Sequence, residues 1–441
     1  MRPFLFKIMI AELYKAYLSS SGICTDTRKI ASNKMFVSLK GPTFNGNDYA
    51  LSAIKEGCSF AVADESRPEF QDNKRVFVVP DALVALQELA NYHRNKLKIP
   101  FIALTGSNGK TTTKELIREA LTSQYNCHAT SGNLNNHIGV PLTILEIDQN
   151  TEIAIVEMGA NHIGEIAALC HIAEPTYGLI TNIGLAHLEG FGGIDGVFRG
   201  KKELFDYLSN SNGTLFVNLD DEKIISASES AEGITYGSSP NAIYCGEGKL
   251  NDGFLHVSWK RADQPKYNHI QTSLSGLYNF SNVMAAVSVA RYFGVSERKI
   301  CQAIENYSPI NNRSQVIESE LSNTIIVDCY NANPSSMSAA IHNLAAMKSS
   351  NSVVILGDMM ELGESTQFEH QSAVDLCRDL GVSQVYLIGG HFAKIEALGN
   401  DKHFDNVDIA RKFIESNPVK SSTILLKGSR SMTLEKLIDA L

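Results

Sequence analysis

The chain has 441 residues, and at roughly 150 residues per domain this length predicts about three domains. Hydrophobic residues make up 44% and charged residues 20%, which provides for several buried cores and excludes disordered or fibrous proteins. The formal net charge is -9 and no dense Lys/Arg stretch occurs, which argues against a nucleic-acid-binding protein. A basic pocket for an anionic small molecule stays open, because net charge says nothing about one cleft.

Cysteine usage and hydropathy indicate the cellular compartment. The eight cysteines include no Cys-x-x-Cys pair, which is typical of reduced, buried thiols rather than of zinc sites or disulfides. No apolar run reaches the roughly 18 to 20 residues of a membrane helix. The start, Met1–Ile10, lacks the features of a signal peptide, and Met9 is an alternative initiator. We expect a cytoplasmic protein for which nothing requires more than a monomer.

Short strand-like runs separated by Gly, Pro and Asn turns dominate the first part of the chain. These runs are Met35–Leu39, Phe60–Ala63 and Val76–Val79. A helical stretch, Ala82–Lys98, follows them and ends before Pro100, because proline disfavours helix in the residue that precedes it. We expect a small first α/β domain over residues 1–98.

From residue 99 to residue 308 the pattern alternates between strand and helix. Phe101–Leu104 is a buried-strand candidate, and Lys110–Ser123 places its apolar residues on one helical face. Further strand candidates are Ile153–Val156, Tyr177–Thr181 and Leu215–Val217. The alternation predicts a mostly parallel α/β sheet in this second domain. Between about residues 241 and 273, apolar and polar residues alternate, which predicts an antiparallel hairpin or meander.

A second boundary is predicted at the Pro- and Asn-rich segment 307–313. Four short β-rich runs follow it, at Thr324–Val327, Val353–Leu356, Val385–Ile388 and Ile424–Leu426. Each precedes a loop and a helical pattern, as in doubly wound sheets that bind ligands at the carboxyl ends of their strands. The expected fold is therefore α/β in three domains: a small N-terminal domain, a central phosphate-loop ATPase-like domain and a Rossmann-like domain over residues 309–441.

The strongest local signal is Thr-Gly-Ser-Asn-Gly-Lys-Thr-Thr-Thr at residues 105–113, between a predicted strand and a predicted helix. Gly106 and Gly109 allow a tight turn, and N–H groups at the helix N-terminus can cradle phosphate oxygens. Lys110 would neutralise phosphate charge, and the Thr111 hydroxyl would reach Mg²⁺. Leucine replaces the first glycine of the general G-x-x-x-x-G-K-[ST] pattern. The strand–turn–helix context nevertheless predicts ATP binding.

Two further residues follow predicted strands of the same sheet. Glu157 comes directly after the run 153–156, at the strand end where phosphate-loop ATPases place a second metal ligand. His187 lies just after the strand predicted at 177–181. Each residue alone could equally be an ordinary loop residue. Because parallel strands end on one edge of a sheet, both should emerge beside the phosphate loop, which favours a shared site.

Five segments together carry a resemblance to a known family. They are Thr-Gly-Ser-Asn-Gly-Lys-Thr at 105–111, Gly-Asn-Leu-Asn-Asn-His-Ile-Gly-Val-Pro at 132–141, Glu-Met-Gly-Ala at 157–160, Thr-Asn-Ile-Gly at 181–184 with His187, and Tyr-Asn-Ala-Asn-Pro at 330–334. On these segments the chain resembles the Mur ligases, from residue 25 to residue 430. Folylpolyglutamate synthases share only the phosphate loop. The Asp-Asn-Pro-Arg expected of the branch that adds diaminopimelate or lysine is missing.

The resemblance implies an ATP-dependent acid–D-amino-acid (peptide) ligase of peptidoglycan precursor synthesis. Such an enzyme joins D-alanyl-D-alanine to UDP-N-acetylmuramoyl-tripeptide through an acyl phosphate, with ATP and two Mg²⁺ ions. The first domain would bind the UDP-sugar, and the last would close on ATP and the dipeptide about a hinge near residue 310. The resemblance also implies that Lys201 is carbamylated. From the residues alone, Lys201 and Lys202 would instead form a solvated helix face.

The family motifs assign roles residue by residue. Catalytic roles fall on Lys110, His187 and Lys201, and metal binding on Thr111, Glu157, His187 and Lys201. Nucleotide-binding residues are Gly106, Ser107, Asn108, Gly109, Lys110, Thr111, Thr112, Asn279, Asn282, Arg313 and Asp328. Substrate-binding residues are Thr27, Arg28, Asn135, Asn136, Asn331, Asn333 and Lys427. The chain departs from the family twice, because Tyr278 and Asn47 each stand where a histidine is usual.

Two other functions stay open. One is a related ligase that adds a different amino acid or acts on folate-like substrates. The other is a nucleotide-binding regulatory protein without turnover. The retained lysine, threonine, glutamate and histidine set disfavours the second alternative, because a protein without turnover would lose its metal ligands early. The first and last domains distinguish the ligases, and for them the resemblance is the argument.

Overall fold

The structure is a computed structural model and describes residues 3–229, 232–310, 312–349, 351–396 and 401–441. Three large sheets with flanking helices follow one another along the chain, which confirms the α/β class and the three-domain architecture. All eight cysteines are free thiols, as expected. Within the described residues, no helix is both long enough and apolar enough to span a membrane.

The first sheet has four parallel strands. The elements of this region are α1 (Pro3–Leu18), β1 (Ile23–Cys24), β2 (Met35–Val37), β3 (Lys40–Gly41), β4 (Phe44–Asn45), α2 (Ala50–Lys55), β5 (Phe60–Ala63), α3 (Pro68–Gln71), β6 (Val76–Val78) and α4 (Ala82–Arg94). The sheet order is β1–β2–β5–β6, and β3 and β4 form a separate two-stranded ribbon. Helix α1 was not predicted from the sequence pattern. The helix predicted over residues 82–98 is too long, because the chain turns after Arg94.

The second sheet has nine strands and carries the phosphate loop. Its elements are β7 (Phe101–Thr105), α5 (Lys110–Thr122), β8 (Cys127–Ala129), α6 (Gly139–Leu145), β9 (Ile153–Glu157), α7 (Glu165–Ala173), β10 (Tyr177–Ile180), α8 (Leu188–Phe191), α9 (Ile194–Asn210), β11 (Thr214–Asn218), α10 (Glu222–Ala227), β12 (Gly233–Gly237), β13 (Tyr244–Asn251), β14 (Phe254–Arg261), β15 (Asn268–Ser275), α11 (Asn279–Tyr292) and α12 (Glu297–Asn306). The strand order is β15–β14–β13–β12–β11–β10–β7–β9–β8. Strands β13 to β15 pair antiparallel, which confirms the predicted meander.

The third sheet has six strands. Its elements are β16 (Gln315–Glu318), β17 (Thr324–Asp328), α13 (Pro334–Ala346), β18 (Ser352–Gly357), α14 (Thr366–Asp379), β19 (Gln384–Ile388), β20 (Lys402–Phe404), α15 (Val407–Ser416) and β21 (Thr423–Lys427). The order is β16–β17–β21–β18–β19–β20, with only β16 antiparallel among these strands. This confirms the predicted doubly wound unit.

Strand register places the predicted site residues on one edge of the second sheet. Leu104 of β7 lies opposite Glu157 of β9, and Thr105 lies opposite Ile180 of β10. Glu157 is itself the last residue of β9, one position further than the predicted strand end. The loops that follow these three central strands therefore leave the sheet side by side.

A buried arginine joins the first region to the second. Arg94 is 7% exposed, and its guanidinium lies 3.9 Å above the Phe101 ring centre. Its Nε donates to the carbonyl oxygen of Ala173 at 2.8 Å, and its Nη2 donates to that of Glu174 at 2.7 Å. These two carbonyls lie at the C-terminal end of α7, where helix carbonyls lack partners within the helix. The Arg94 guanidinium of α4 supplies their hydrogen-bond donors.

We predict that Arg94→Ala destabilises the protein while leaving its fold intact. The substitution deprives two carbonyls of donors, which costs about 1 to 3 kcal/mol per unsatisfied buried group. Urea unfolding followed by circular dichroism measures the loss. Lys98→Ala, which alters an exposed lysine four residues away, serves as the control. Equal unfolding midpoints for the two variants would show that Arg94 contributes nothing to this junction.

Candidate active site

A cavity of about 900 Å³ lies between the carboxyl edges of the second and third sheets. Loops that follow β7, β9 and β10 form one wall, and loops that follow β17 and β21 form the other. The structure brings most predicted site residues together around it: Ser107, Asn108, Gly109, Lys110, Thr111, Thr112, Asn135, Asn136, Glu157, His187, Asn279, Asn282, Arg313, Asp328, Asn331, Asn333 and Lys427.

Four predicted residues do not line this cavity. Gly106 belongs to the phosphate loop but does not line the cavity, and Lys201 is buried beside the site. Thr27 and Arg28 belong to the first region, in a short 3₁₀ turn after β1. The Arg28 side chain is 86% exposed and pairs with Asp26 at 2.9 Å. The structure therefore places these two residues on a separate surface from the ATP-type cleft.

The phosphate loop is fixed by glycines that no larger residue could replace. Gly106 has φ 147° and Gly109 has φ 77°, both in the region that disfavours other residues. A Cβ on Gly106 would lie 2.0 Å from the Thr181 hydroxyl oxygen. The Lys110 ammonium group turns back onto the loop and donates to the Gly106 carbonyl oxygen at 2.6 Å. Helix α5 starts at Lys110, so its free N–H groups face the cavity.

Asn182 and Thr181 support this loop, and the sequence analysis assigned them no role. The Asn108 N–H donates to Asn182 Oδ1 at 3.0 Å, and Asn182 Nδ2 donates back to the Asn108 carbonyl oxygen at 2.9 Å. The Thr181 hydroxyl donates to the same carbonyl at 2.6 Å. Both residues come directly after β10, a strand that the sequence predicts, and this position is the sequence signal that could have identified them.

Thr111 and Glu157 form an arrangement that suits Mg²⁺. The Thr111 hydroxyl donates to Glu157 Oε2 at 3.0 Å, and Asn135 Nδ2 donates to Glu157 Oε1 at 2.8 Å. Two oxygens bound to Mg²⁺ at right angles, each at about 2.1 Å, lie about 3.0 Å apart. The observed separation of the Thr111 and Glu157 oxygens is close to that octahedral edge, so the two oxygens lie near enough to bind one ion together once the hydrogen bond between them is given up.

No group of three or more His, Cys, Asp or Glu side chains is arranged to hold a metal in the part of the chain that the structure describes. Magnesium usually takes one or two carboxylates and completes its shell with phosphate and water oxygens, and the Glu157 carboxylate beside the Thr111 hydroxyl is a donor set of this kind.

Three basic groups influence one another at the site. Burial lowers the pKa of Lys110 to about 8, with Glu157 opposing the shift and Arg313 adding to it. Burial and then the charge of Lys110 hold the pKa of Lys201 well below its usual range. The pKa of His187 is also lowered, chiefly by burial, although Glu361 partly opposes the shift. Such crowding of cations favours a polyanionic ligand.

Lys201 and Lys202 have different environments, and the solvated-face interpretation is wrong for Lys201; the Lys202 side chain is 18% exposed. Lys201 is 1% exposed, and its Nζ donates to the Ala160 carbonyl oxygen at 3.3 Å. Lys202 forms ion pairs with Asp206 and with Glu229, the second at 2.8 Å. Burial favours a lower pKa for Lys202, but these two partners outweigh it and raise the pKa.

Residues of the third sheet complete the opposite wall. Lys427 is 2% exposed and pairs with Asp328 at 3.0 Å. Its Nζ also donates to the Asn331 carbonyl oxygen at 2.7 Å, which holds together the loops after β17 and β21. The Arg313 guanidinium lies 3.8 Å from the ring centre of Tyr330, a cavity residue that the sequence analysis did not assign. The cation thus stacks on an aromatic face inside the cleft.

Hydrogen bonds cross the cleft directly. Asn333 Nδ2 donates to Asn108 Oδ1 at 2.7 Å, which links the third sheet to the phosphate loop. The Leu185 N–H donates to the Ser335 hydroxyl at 2.9 Å. His187 hydrogen-bonds with Glu361 of the loop that follows β18. The two walls are therefore in contact in this structure, and the cavity lies between them.

The two departures from family residues are both accommodated. The Tyr278 hydroxyl hydrogen-bonds with the Ser314 hydroxyl at 2.7 Å, so it reaches the segment between the second and third sheets. Asn47 is 1% exposed, and its Nδ2 donates to Asp64 Oδ1 at 2.8 Å. The Asp64 N–H donates to Asn47 Oδ1 at 3.0 Å, so Asn47 serves as both donor and acceptor.

Asn279 and Asn282 connect the start of α11 to the phosphate-loop helix. The Thr113 hydroxyl donates to Asn282 Oδ1 at 2.9 Å, and Asn282 Nδ2 donates to Asn279 Oδ1 at 2.8 Å. Asn282 also packs against Gly109, where a Cβ would come within 2.7 Å of Oδ1. This contact is a second reason for glycine at that position.

Comparisons with known proteins agree with this geometry. Residues 104–290 match the family model "Mur ligase middle domain", and residues 312–430 match "Mur ligase, glutamate ligase domain". The UDP-N-acetylmuramoyl-tripeptide–D-alanyl-D-alanine ligase of Bacillus subtilis is 33% identical over 98% of this chain and 97% of its own. The crystal structure of MurF from Acinetobacter baumannii superposes with a TM-score of 0.85 at 31% identity, covering 97% of each chain.

A further solved structure, MurF ligase from Thermotoga maritima in complex with ADP, has a TM-score of 0.85 at 24% identity. It covers 96% of this chain and 97% of that one. At this identity the likeness concerns the fold, and the ADP is a property of the Thermotoga protein.

The lowered pKa of Lys110 predicts proton uptake when a nucleoside triphosphate binds. With a pKa of about 8, the free site holds about half a proton on Lys110 at pH 8. Phosphate oxygens favour the charged form and raise this pKa, so binding takes up as much as about half a proton. Calorimetry of ATP binding in buffers of different ionisation enthalpy measures the uptake. Lys110→Arg, which stays charged, should abolish it, and equal uptake by both proteins would contradict the assignment.

Proposed function

Because this chain belongs to the Mur ligase family, we propose that it joins D-alanyl-D-alanine to UDP-N-acetylmuramoyl-tripeptide with ATP as the energy source. The proposal rests on one observation: a single cavity has a phosphate loop with a Thr111–Glu157 pair on one wall and the Asn331–Asn333 segment on the other. Similarity to a dipeptide-adding ligase along 98% of the chain supports the choice of substrates. The reaction belongs to peptidoglycan precursor synthesis.

The chemistry has two steps. The γ-phosphoryl group of ATP passes to the terminal carboxylate of the tripeptide, which gives an acyl phosphate and ADP. The amine of D-alanyl-D-alanine then attacks the activated carbonyl carbon through a tetrahedral oxyanion, and phosphate leaves. Mg²⁺, when bound, supplies charge neutralisation for the phosphates. Lys110 adds to it from the phosphate loop, which lessens the repulsion between one anion and another.

We assign the roles of the site residues as the family resemblance implies them. Lys110, His187 and Lys201 are assigned to catalysis, with Thr111, Glu157, His187 and a carbamylated Lys201 as ligands of two Mg²⁺ ions. Gly106, Ser107, Asn108, Gly109, Thr112, Asn279, Asn282, Arg313 and Asp328 are assigned to ATP. Asn135, Asn136, Asn331, Asn333 and Lys427 are assigned to the tripeptide and dipeptide, and Thr27 and Arg28 to the UDP group. Most chemistry then depends on positioning, as in other phosphoryl transfers.

The domain boundaries are part of the proposal. We assign residues 1–98 to UDP-sugar binding, 99–308 to ATP binding, and 309–441 to closure on ATP and the dipeptide. The contact between Asn108 and Asn333 supports a closed arrangement in which the last domain touches the phosphate loop. The predicted hinge near residue 310 includes residue 311, which lies outside the described residues. We infer a monomer that acts in the cytoplasm, where ATP and nucleotide-linked precursors occur.

The reaction itself is tested by phosphate release. We expect release from ATP only when UDP-N-acetylmuramoyl-tripeptide and D-alanyl-D-alanine are both present, with a pentapeptide product found by mass spectrometry. Lys110→Met should lower kcat/KM by at least about 100-fold, as expected for loss of a charge-stabilising group. Lys202→Met, a lysine outside the cavity, should keep near-normal activity.

Two outcomes would redirect the assignment. Release with a single amino acid in place of the dipeptide would identify a neighbouring ligase. ATP binding without release for any acceptor would favour the regulatory-protein alternative.

Lys201 should form a carbamate more readily than its neighbour. Carbamylation joins a neutral amine to CO₂ and releases a proton, and the lowered pKa of Lys201 leaves more neutral amine near neutral pH. The carbamate should therefore increase as pH rises through this lowered pKa, below the range of ordinary lysines. With ¹³C-bicarbonate, we expect a carbamate carbon signal in the wild type and in Lys202→Met, but not in Lys201→Met. A signal that persists in Lys201→Met would refute the assignment.

A further inference from the structure

Lys114 is a buried cation to which the proposed chemistry gives no task. It lies one helical turn after Lys110 on α5 and is 1% exposed. Its Nζ donates to the Thr130 carbonyl oxygen at 2.5 Å and pairs with Glu115 Oε1 at 2.8 Å. Burying an ammonium group is costly unless its partners compensate. An apolar side chain at this position would avoid the free-energy cost of burying a charge, so the contact between Lys114 and Thr130 calls for an explanation.

Thr130 connects this cation to the strand that ends in Glu157. It is 1% exposed and follows β8 at the edge of the sheet. Its N–H donates to the Ile155 carbonyl oxygen at 3.0 Å. Its hydroxyl oxygen accepts a hydrogen bond from the Glu157 N–H at 2.9 Å. Thr130 therefore holds the backbone of Glu157 through its side chain while Lys114 holds Thr130 through its carbonyl.

The helix and the strand end are thus joined twice. Thr111 and Lys114 are three residues apart on α5, a spacing that places side chains on the same side of a helix. Thr111 contacts the Glu157 carboxylate directly, and Lys114 reaches the Glu157 backbone through Thr130. These two contacts add to the packing of α5 against β8, β9 and α11, and they tie the start of the helix to the end of the strand at two points.

We propose that Lys114 and Thr130 are positioning residues that set the separation between the Thr111 hydroxyl and the Glu157 carboxylate, and through it the affinity for a divalent cation. The inference rests on the proposed role of Thr111 and Glu157 as magnesium ligands. Lys114 and Thr130 need not touch the metal or the substrates. They act by keeping two oxygens at the 3.0 Å spacing that an octahedral ion requires.

The decisive measurement is Mn²⁺ binding by electron paramagnetic resonance in the presence of a non-hydrolysable ATP analogue. Thr130→Val keeps the shape and the carbonyl but removes the hydroxyl, so we expect Mn²⁺ affinity to fall by about 10-fold to 100-fold, as for other residues that support metal ligands. Thr130→Ser retains the acceptor and should stay within about twofold of the wild type. Because no acceptor substrate is present, the result does not depend on the identity of the ligation product.

Lys114→Met gives a second, independent arm. It should weaken Mn²⁺ binding to a similar extent. Glu119→Gln on the same helix should not, because Glu119 pairs with Arg118 and does not line the cavity. In turnover assays, the Mg²⁺ concentration for half-maximal rate should rise while the KM for the dipeptide stays unchanged. Thermal unfolding identifies any variant that fails to fold. If Lys114→Met does not fold, the threonine pair carries the test alone.

Wild-type Mn²⁺ affinity in folded Thr130→Val would overturn the inference. Glu157→Gln separates this failure from failure of the metal assignment. If Glu157→Gln leaves Mn²⁺ affinity unchanged, Glu157 is not a ligand, and both the metal role and the inference built on it are wrong. If only Glu157→Gln weakens binding, the metal role stands and the positioning role fails.

Discussion

Parallel pairing of β7 with β9 and β10 is the constraint on which the rest of the site depends. Parallel strands must end on the same edge of a sheet, and the register sets Leu104 beside Glu157 and Thr105 beside Ile180. The three loops that follow these strands therefore meet at one edge of the sheet, although their sequences have little in common. One result is that Lys110 is buried near Arg313, which lowers its pKa to about 8, while the neighbouring Glu157 carboxylate opposes the shift.

The sequence pattern was enough to predict those features whose residues lie close together in the chain. The phosphate loop was predictable because its glycines, lysine and threonine lie within a few residues between a strand and a helix. The strand ends were predictable because buried parallel strands are short apolar runs. Helix α1 was not predicted, because its first residues were considered only as a possible signal peptide. In the structure this helix packs against α4. The burial of Lys201 was also hidden, because two adjacent lysines look alike until the fold separates them.

Contacts between distant parts of the chain could not be found in this way. Asn182 supports a loop that lies more than 70 residues earlier, and Asn333 reaches the same loop from a different sheet. Each is an asparagine in a turn, where that residue is common for reasons unrelated to binding. The contact between Lys114 and Thr130 was equally unpredictable. A lysine in a helix and a threonine after a short strand are common, and nothing in the sequence pattern indicates that the two meet. The resemblance supplied several roles that residue chemistry alone could not.

The contacts across the cleft have a consequence for inhibition. The phosphate loop is held by glycines at positive φ and by Asn182, and the opposite wall is held by Lys427, so neither wall yields easily. Hydrogen bonds that involve side chains join the two walls, for example the one from Asn333 Nδ2 to Asn108 Oδ1. A molecule wedged between these asparagines would leave both halves intact and simply keep them apart. Such an inhibitor would act on the contact between the walls, and replacing Asn333 to escape it would also remove the side-chain cap at the start of α13.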